Sequence, residues 1–146
     1  MSPLDKQEKK KLLFLMTGSI ACFKACELIS ALTKKDYEIK VAVTPSVYNF
    51  IGKATLEGLT GHPVIDETFL EGSMMDHIYL ERWADKILMA PASANTINKM
   101  ATGVCDNLVT TLFMAHDFKK DFFVVPAMNT KMYEHPTTQN LSLIHI

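Results

Sequence analysis

Four short apolar runs, each followed by small or polar residues, constrain the fold of this chain more than any other feature. They lie at residues 12–16, 37–43, 84–90 and 122–125. Each has the length of a buried strand, and apolar residues recur at helical spacing between them, first over 20–32. Strands that alternate with helices in this way are typical of a parallel sheet covered on both faces. The sequence therefore predicts an α/β fold with a doubly wound parallel sheet.

The same patterns predict the remaining elements and the domain bounds. Helices are expected at 47–52, 54–60, 95–102 and 108–116, a short helical turn at 81–84, and loop and edge structure over 63–76. A chain of 146 residues is most simply one domain. We expect that domain to span residues 12–139. Residues 1–11 are predicted to form a disordered tail, and 140–146 an atypical, truncated C-terminal segment.

Composition excludes several functional classes. The formal net charge is −1, so no basic surface for nucleic acid is predicted. The polar first ten residues do not resemble a signal peptide, and no apolar run is long enough to span a bilayer, so no membrane partner is expected. Three cysteines do not suggest a disulfide framework. Cys22 and Cys26 lie one helical turn apart and have no further ligand nearby, so no metal site is predicted. The cytoplasm is the expected compartment.

Hydroxyl groups follow the first two predicted strands. Thr17-Gly18-Ser19 joins a strand to a helix, where the free N–H groups and partial positive charge of the helix N-terminus favour an anion. A simple N-cap by Ser19 explains the triplet equally well. Thr44-Pro45-Ser46 suits a phosphate or a ribityl chain, or a helix start with Thr44 as the cap. Because G-x-G-x-x-G and a ribose-binding acidic residue are both absent, a dinucleotide site of the NAD type is not predicted.

Three later segments also suggest binding or catalysis. The backbone and amide groups of Ser93-Ala94-Asn95-Thr96 suit a planar ring or a phosphate, and Asp106-Asn107 suits the cap of the next helix. His77 lies beside an apolar run, and the near-neutral pKa of histidine in general suits a base. Catalytic and structural interpretations of His77 are evenly balanced on the residues alone.

Six motifs together resemble the flavin-dependent cysteine decarboxylases, the phosphopantothenoylcysteine decarboxylase family. They occur in the family's order and rough spacing over residues 12–139: Gly18-Ser19-Ile20-Ala21, Thr44-Pro45-Ser46, His77-Ile78-x-Leu80, Pro91-Ala92-Ser93-Ala94-Asn95-Thr96, Gly103-x-Cys105-Asp106-Asn107-Leu108 and Pro126-Ala127-Met128-Asn129-x-x-Met132-Tyr133. Any one of these motifs is weakly specific, whereas six in order make chance agreement improbable.

The resemblance implies a flavodoxin-like fold, bound FMN and a homo-oligomer built from trimers. It also implies oxidative decarboxylation of 4′-phosphopantothenoylcysteine, a phosphorylated thiol, in coenzyme A biosynthesis. His77 would be the base, and Asn129 and Met132 would contact the substrate. The implied FMN contacts are Gly18, Ser19, Thr44, Ser46, Phe50, Ser93, Ala94 and Asn95.

The resemblance leaves other functions open. The chain could be a peptidyl-cysteine decarboxylase, a flavin prenyltransferase, or a non-catalytic regulatory protein that binds a phosphatase. The sequence does not distinguish a stand-alone enzyme from a fragment of a fusion with a ligase. The family continues into a flap with a reactive cysteine, and residues 140–146 do not match it. From this departure we expect impaired turnover, with the final reduction affected most.

Overall fold

The carboxyl ends of four parallel strands lie along one edge of a single sheet. In the computed structural model, which describes residues 8–66 and 76–143 without the side chains of 76 and 141–143, the strands run in the order β2-β1-β3-β4. Their bounds are β1 Lys10–Met16, β2 Tyr37–Val43, β3 Lys86–Ala92 and β4 Phe122–Pro126. All three pairings are parallel. This arrangement confirms the predicted doubly wound parallel sheet.

Side chains of β1 alternate between two apolar clusters, one on each face of the sheet. Phe14 and Met16 belong to the first cluster, whereas Leu13 and Leu15 belong to the second, and all four are fully buried. A strand with both faces buried shows a continuous apolar run, which explains why the sequence of β1 lacks polar alternation. Burying each of these side chains stabilises the fold by about 1.5–3 kcal/mol.

The helices divide between the two faces. They are α1 Cys22–Thr33, α2 Lys53–Thr60, α3 Asp76–Trp83, α4 Ala94–Thr102, α5 Leu108–Ala115, α6 Thr130–Glu134 and α7 Pro136–Leu143, with a 3-10 helix at Pro45–Asn49. Helices α1 and α2 supply Ile29 and Leu56 to the first cluster. Helices α3, α4 and α5 supply Leu80, Ile97 and Leu112 to the second. Connections after β1 and β3 therefore leave the sheet towards opposite faces.

The first strand begins two residues earlier than predicted. Lys10 and Lys11 pair with Tyr37 and Glu38 of β2, and the Lys11 N–H donates to the carboxylate of Asp85 at 2.9 Å. Backbone pairing brings these lysines into the sheet, so the expected tail does not extend to residue 11. Residues 1–7 of that tail lie outside the described residues.

The bounds of α3 and α7 also differ from the predicted ones. Helix α3 extends back to Asp76, so His77 lies in a helix and not in a loop. Ile65 forms an isolated parallel bridge with Ala42, as expected for edge structure, whereas residues 67–75 of the predicted loop are outside the described ranges. Helix α7 crosses the expected domain end at residue 139, and residues 144–146 are not described. Among the helices of the described ranges, none has the length and apolarity needed to cross a membrane.

Candidate functional site

A crevice is expected where the connections after β1 and β3 separate. These strands are neighbours, yet β1 leads into α1 on one face and β3 into α4 on the other. In open α/β sheets, ligands bind at such a switch point, beyond the carboxyl ends of the strands. Residues 17–19, 44–46 and 91–95 all lie at this edge, which we call the carboxyl-edge site.

Thr17 joins the two strands at the carboxyl-edge site. Its buried hydroxyl donates to the carbonyl of Pro91 at 2.6 Å and accepts from the N–H of Ser93 at 2.8 Å. The Thr17 N–H also donates to the Pro91 carbonyl, at 3.2 Å. These bonds fix the turn after β1 relative to the start of α4. The sequence indicated Thr17 as part of the Thr17-Gly18-Ser19 turn but not as a link between strands, because its partners are more than seventy residues away along the chain.

Gly18 lies against Ser46 with no space for a side chain. A Cβ atom on Gly18 would be 2.4 Å from Ser46 Oγ and 2.6 Å from Ser46 Cβ. The Ser46 hydroxyl in turn lies 3.0 Å from that of Thr44. The structure therefore brings Gly18, Thr44 and Ser46 together. Thr44 is the N-cap residue of the 3-10 helix, but its side chain makes no capping bond, in contrast to the simple cap considered from sequence.

The start of α1 offers backbone donors to an anion. The N–H groups of Gly18, Ser19 and Ile20 have no hydrogen-bond acceptor among the residues that the structure describes. Ser19 is not the N-cap residue, which is Ala21, but its hydroxyl accepts from the Ala21 N–H at 3.1 Å. Consecutive free N–H groups at a helix N-terminus suit a phosphate. This geometry fits the phosphate end of FMN.

Residues near the carboxyl-edge site also suit a planar ring. Ser93 is the N-cap of α4, and its hydroxyl accepts from the Thr96 N–H at 3.2 Å. Ala94 is buried in the first turn, whereas Asn95 is exposed beside it. Phe50, at the C-terminal end of the 3-10 helix, is 48% exposed. A polar helix start together with an exposed aromatic ring can contact both the edge and the face of an isoalloxazine.

Asn129 follows β4 at the same edge of the sheet. The Ala127 N–H donates to the Ala92 carbonyl at 3.0 Å, which keeps the end of β4 beside the end of β3. The Asn129 side chain caps α6 by accepting from the Met132 N–H at 2.9 Å. Asn129 and Met132 are both exposed. Asn129 therefore has a structural role as well as side-chain surface available to a substrate.

His77 lies on helix α3, outside the three segments of the carboxyl-edge site. It is half-buried in the first turn of α3, and within the described ranges no contact joins its side chain to the carboxyl-edge site. The other end of α3 lies near the start of β1, because Asp85, two residues after the helix, donates its N–H to the Lys11 carbonyl at 2.9 Å. The structure thus brings Gly18, Thr44, Ser46 and Ser93 together, whereas the roles of Phe50, Asn95 and His77 stay predictions.

The segment between α4 and α5 has local partners. Asn107 forms a capping box with Thr110, as its predicted capping role requires. Asp106 accepts two hydrogen bonds from Lys99, at 2.8 and 3.0 Å, and these bonds hold the pKa of its carboxyl below the usual range. The contacts of this motif explain its local structure without a ligand.

Comparisons with known proteins agree with this geometry. The Flavoprotein family profile matches residues 1–144. The chain is 43% identical to a probable phosphopantothenoylcysteine decarboxylase of Streptococcus mutans serotype c, covering 92% of this chain and 77% of that one. It is 37% identical to the coenzyme A biosynthesis bifunctional protein CoaBC of Bacillus subtilis, covering 93% of this chain but only 34% of that protein.

One solved structure is similar to this chain in both sequence and fold. A cysteine-to-serine mutant of PPC decarboxylase, complexed with pantothenoylaminoethenethiol, is 35% identical and superposes with a TM-score of 0.81. The match covers 92% of this chain and 76% of that one. These comparisons confirm the resemblance that the six motifs suggested.

Proposed function

The chain belongs to the flavoprotein family, and from this premise we propose that it binds FMN and decarboxylates 4′-phosphopantothenoylcysteine. One observation carries the proposal: three free N–H groups at the start of α1 lie beside the close contact of Gly18 with Ser46. The similarity to decarboxylases over most of the chain supports the substrate. The fusion proteins match only over about a third of their length, so the proposal covers the decarboxylation step alone.

We assign the cofactor contacts to three segments. The N–H groups of residues 18–20 and the Ser19 hydroxyl hold the phosphate, since they lie just before the N-terminus of α1. Thr44 and Ser46 present hydroxyls to the ribityl chain. Phe50 and the first turn of α4, with Ser93, Ala94 and Asn95, flank the ring. Gly18 allows the backbone to approach Ser46, and a larger residue would separate the two segments.

The chemistry explains why a flavin is required. Loss of CO₂ from an ordinary cysteine carboxylate leaves a carbanion with no electron sink. FMN supplies, when bound, the acceptor for the hydride that leaves the substrate and the donor that returns it. His77 would take the thiol proton while the adjacent carbon gives up a hydride, and the resulting thioaldehyde can accept the electron pair of the Cα–carboxylate bond when CO₂ leaves. Asn129 orients the carboxylate by amide hydrogen bonds, and Met132 contacts the apolar part of the substrate.

We further propose a homo-oligomer, built from trimers, with the flavin at a subunit boundary. Phe123 and Val125 of β4 are about half exposed, and they lie on the face opposite Phe122, which packs into the second cluster. Met132 and Tyr133 are also about half exposed. A second copy of the chain would bury these apolar surfaces.

The flavin released from the purified protein tests the cofactor. After denaturation, we expect chromatography to recover FMN at one per chain. Protein isolated without flavin should become yellow on soaking with FMN, because the phosphate site is preformed. Recovery of FAD, or a failure to bind FMN after soaking, would show that the assignment of the carboxyl-edge site is wrong.

A pull-down against a protein phosphatase, together with a substrate assay, distinguishes a regulatory protein from the proposed decarboxylase. A regulatory protein would bind a phosphatase and leave 4′-phosphopantothenoylcysteine unchanged. A sister decarboxylase would act on a C-terminal peptidyl cysteine instead. We expect product from the phosphorylated thiol and none from the peptide.

A further inference from the structure

We propose that Lys120 is a positioning residue for His77, because it fixes helix α3 along the direction of its axis. The proposal rests on the proposed function, in which His77 is the base. Lys120 lies in the connection between α5 and β4 and matches none of the six motifs. It acts from the end of α3 opposite to His77.

The ammonium of Lys120 binds the C-terminal end of α3 directly. It donates to the carbonyl of Ala84 at 2.7 Å and to that of Glu81, and it lies 3.7 Å from Glu81 Oε1. The last carbonyls of a helix have no partner within the helix and carry a partial negative charge. One cation therefore satisfies two such carbonyls and stays beside a carboxylate. The side chain of Lys120 is only 19% exposed, so solvent competes weakly for these bonds.

A buried pair of polar side chains lies beside Lys120. His116 Nδ1 is 3.4 Å from Glu81 Oε1, and the two side chains are 1% and 9% exposed. The rings of Phe118 and Phe122 lie 4.9 and 5.1 Å from the His116 ring. A carboxylate in such surroundings needs a charged partner, and Lys120 provides one.

The same cluster has the spacing of a metal site. Ligand atoms of Glu81, His116 and Asp117 lie within 4.8 Å of one another. The ammonium of Lys120, however, lies 3.7 Å from the same Glu81 oxygen that His116 contacts, and its charge repels a cation there. We therefore assign the cluster a structural role.

The geometry of a helix connects this cluster to His77. Residues 77 and 81 are four apart, so they lie on the same side of α3, about 6 Å apart along the axis. Leu80 and Ala84 pack into the second apolar cluster and hold α3 against the sheet. Apolar packing is not directional, so it resists sliding along the axis less than hydrogen bonds do. The bonds from Lys120 set that axial position, and any shift of α3 moves His77 with it.

Substitution of Lys120 tests the proposal on the FMN-loaded protein. Lys120→Met keeps the apolar stem but removes the three donors, Lys120→Arg keeps the charge, and Lys119→Met is the matched control because the Lys119 side chain is 84% exposed. We would mix each variant anaerobically with 4′-phosphopantothenoylcysteine and follow flavin bleaching. For each variant we would also measure the affinity for FMN and the hydrogen exchange of residues 77–84.

We expect Lys120→Met to slow bleaching at saturating substrate by about 10–100-fold, because a misplacement near 1 Å can cost that much. KM and FMN affinity should stay as in the Lys119→Met control, exchange in α3 should become faster, and Lys120→Arg should recover part of the rate. In a His77→Asn background neither protein should bleach, but Lys120→Met should still speed exchange in α3, because the anchoring does not depend on the base.

Several results would overturn this role. They are equal bleaching by Lys120→Met and Lys119→Met, a parallel loss of FMN affinity in Lys120→Met, or unchanged hydrogen exchange in its residues 77–84. If the unmodified protein binds FMN but does not bleach, the proposed function fails instead. Hydrogen exchange then tests only whether Lys120 anchors α3. Unchanged exchange in Lys120→Met would overturn that anchoring.

Discussion

At the residue scale, the geometry of the carboxyl-edge site depends on one buried hydroxyl and one close backbone contact. The Thr17 hydroxyl links β1 to the connection after β3, and Gly18 leaves no space between its backbone and Ser46. The sequence indicated Gly18 and Ser46 as site residues, because hydroxyls and glycine at strand ends are typical of phosphate binding. It indicated Thr17 only as part of a turn, since the linking role of a buried hydroxyl is recognised only once its distant partners are in place.

Gly18→Ala should weaken FMN binding about tenfold or more, because overpacking at this contact costs about 1–3 kcal/mol. The nearest obstacles belong to the Ser46 side chain and lie 2.4 and 2.6 Å from the new methyl group. Fluorescence titration of the apoprotein with FMN measures the effect. Gly58→Ala is the control, as nothing lies within 4 Å of its Cβ position in α2. The account is contradicted if Gly18→Ala and Gly58→Ala bind FMN equally well.

His77→Asn should retain FMN yet fail to oxidise the substrate thiol. An amide of similar size cannot accept the proton at neutral pH, and His77 does not contact the carboxyl-edge site within the described residues. Anaerobic mixing with substrate should leave the flavin of this variant yellow. His135→Asn, outside the six motifs, provides the control. Bleaching by His77→Asn at the unmodified rate would show that another group is the base.

At the scale of elements, strand and helix identities were largely predictable, whereas their ends were not. β2 begins and ends where the sequence indicates, because its alternation stops at both bounds. β3 was predicted at 84–90 but runs from Lys86 to Ala92. Ala84 packs with α3 in the second cluster, and the β3–β4 register shifts between Met89 and Ala92, which allows Pro91 within the strand. Such tertiary constraints are not visible in an apolar run.

Asn107→Ala should lower the free energy of unfolding by about 1 kcal/mol, because it removes the cap of α5. The Asn107 side chain accepts from the Thr110 N–H at 2.9 Å, and the Thr110 hydroxyl completes the capping box. Urea denaturation compares this variant with Asp106→Ala, which removes the neighbouring pair with Lys99 and leaves the cap intact. Equal stability of Asn107→Ala and the unmodified protein would exclude a stabilising cap.

At the scale of the whole molecule, the two faces of the sheet are covered unequally near β4. Phe122 packs into the second cluster, whereas Phe123, Val124 and Val125 remain exposed. An exposed apolar edge strand favours association between copies. The sequence predicted association only through the family resemblance, because a buried and an uncovered apolar strand have the same composition.

Val125→Glu should dissociate the oligomer and release flavin, because a carboxylate cannot be buried in an apolar contact without a large free-energy cost. Met114→Glu is a matched control: Val125 and Met114 are 48% and 53% exposed, but Met114 lies on α5, on the opposite face. Sedimentation with detection at the flavin absorbance measures both effects. A flavin-loaded monomer of the unmodified chain would contradict the proposed subunit-boundary site.

The most direct measurement of the central claim is the fate of 4′-phosphopantothenoylcysteine on the FMN-loaded protein. The substrate is mixed anaerobically with the protein, and the flavin spectrum and the product mass are followed together. We expect that the flavin bleaches and that the thiol loses CO₂, with neither change in the His77→Asn protein. Unchanged substrate mass with a flavin that stays oxidised, at full FMN occupancy, would contradict it.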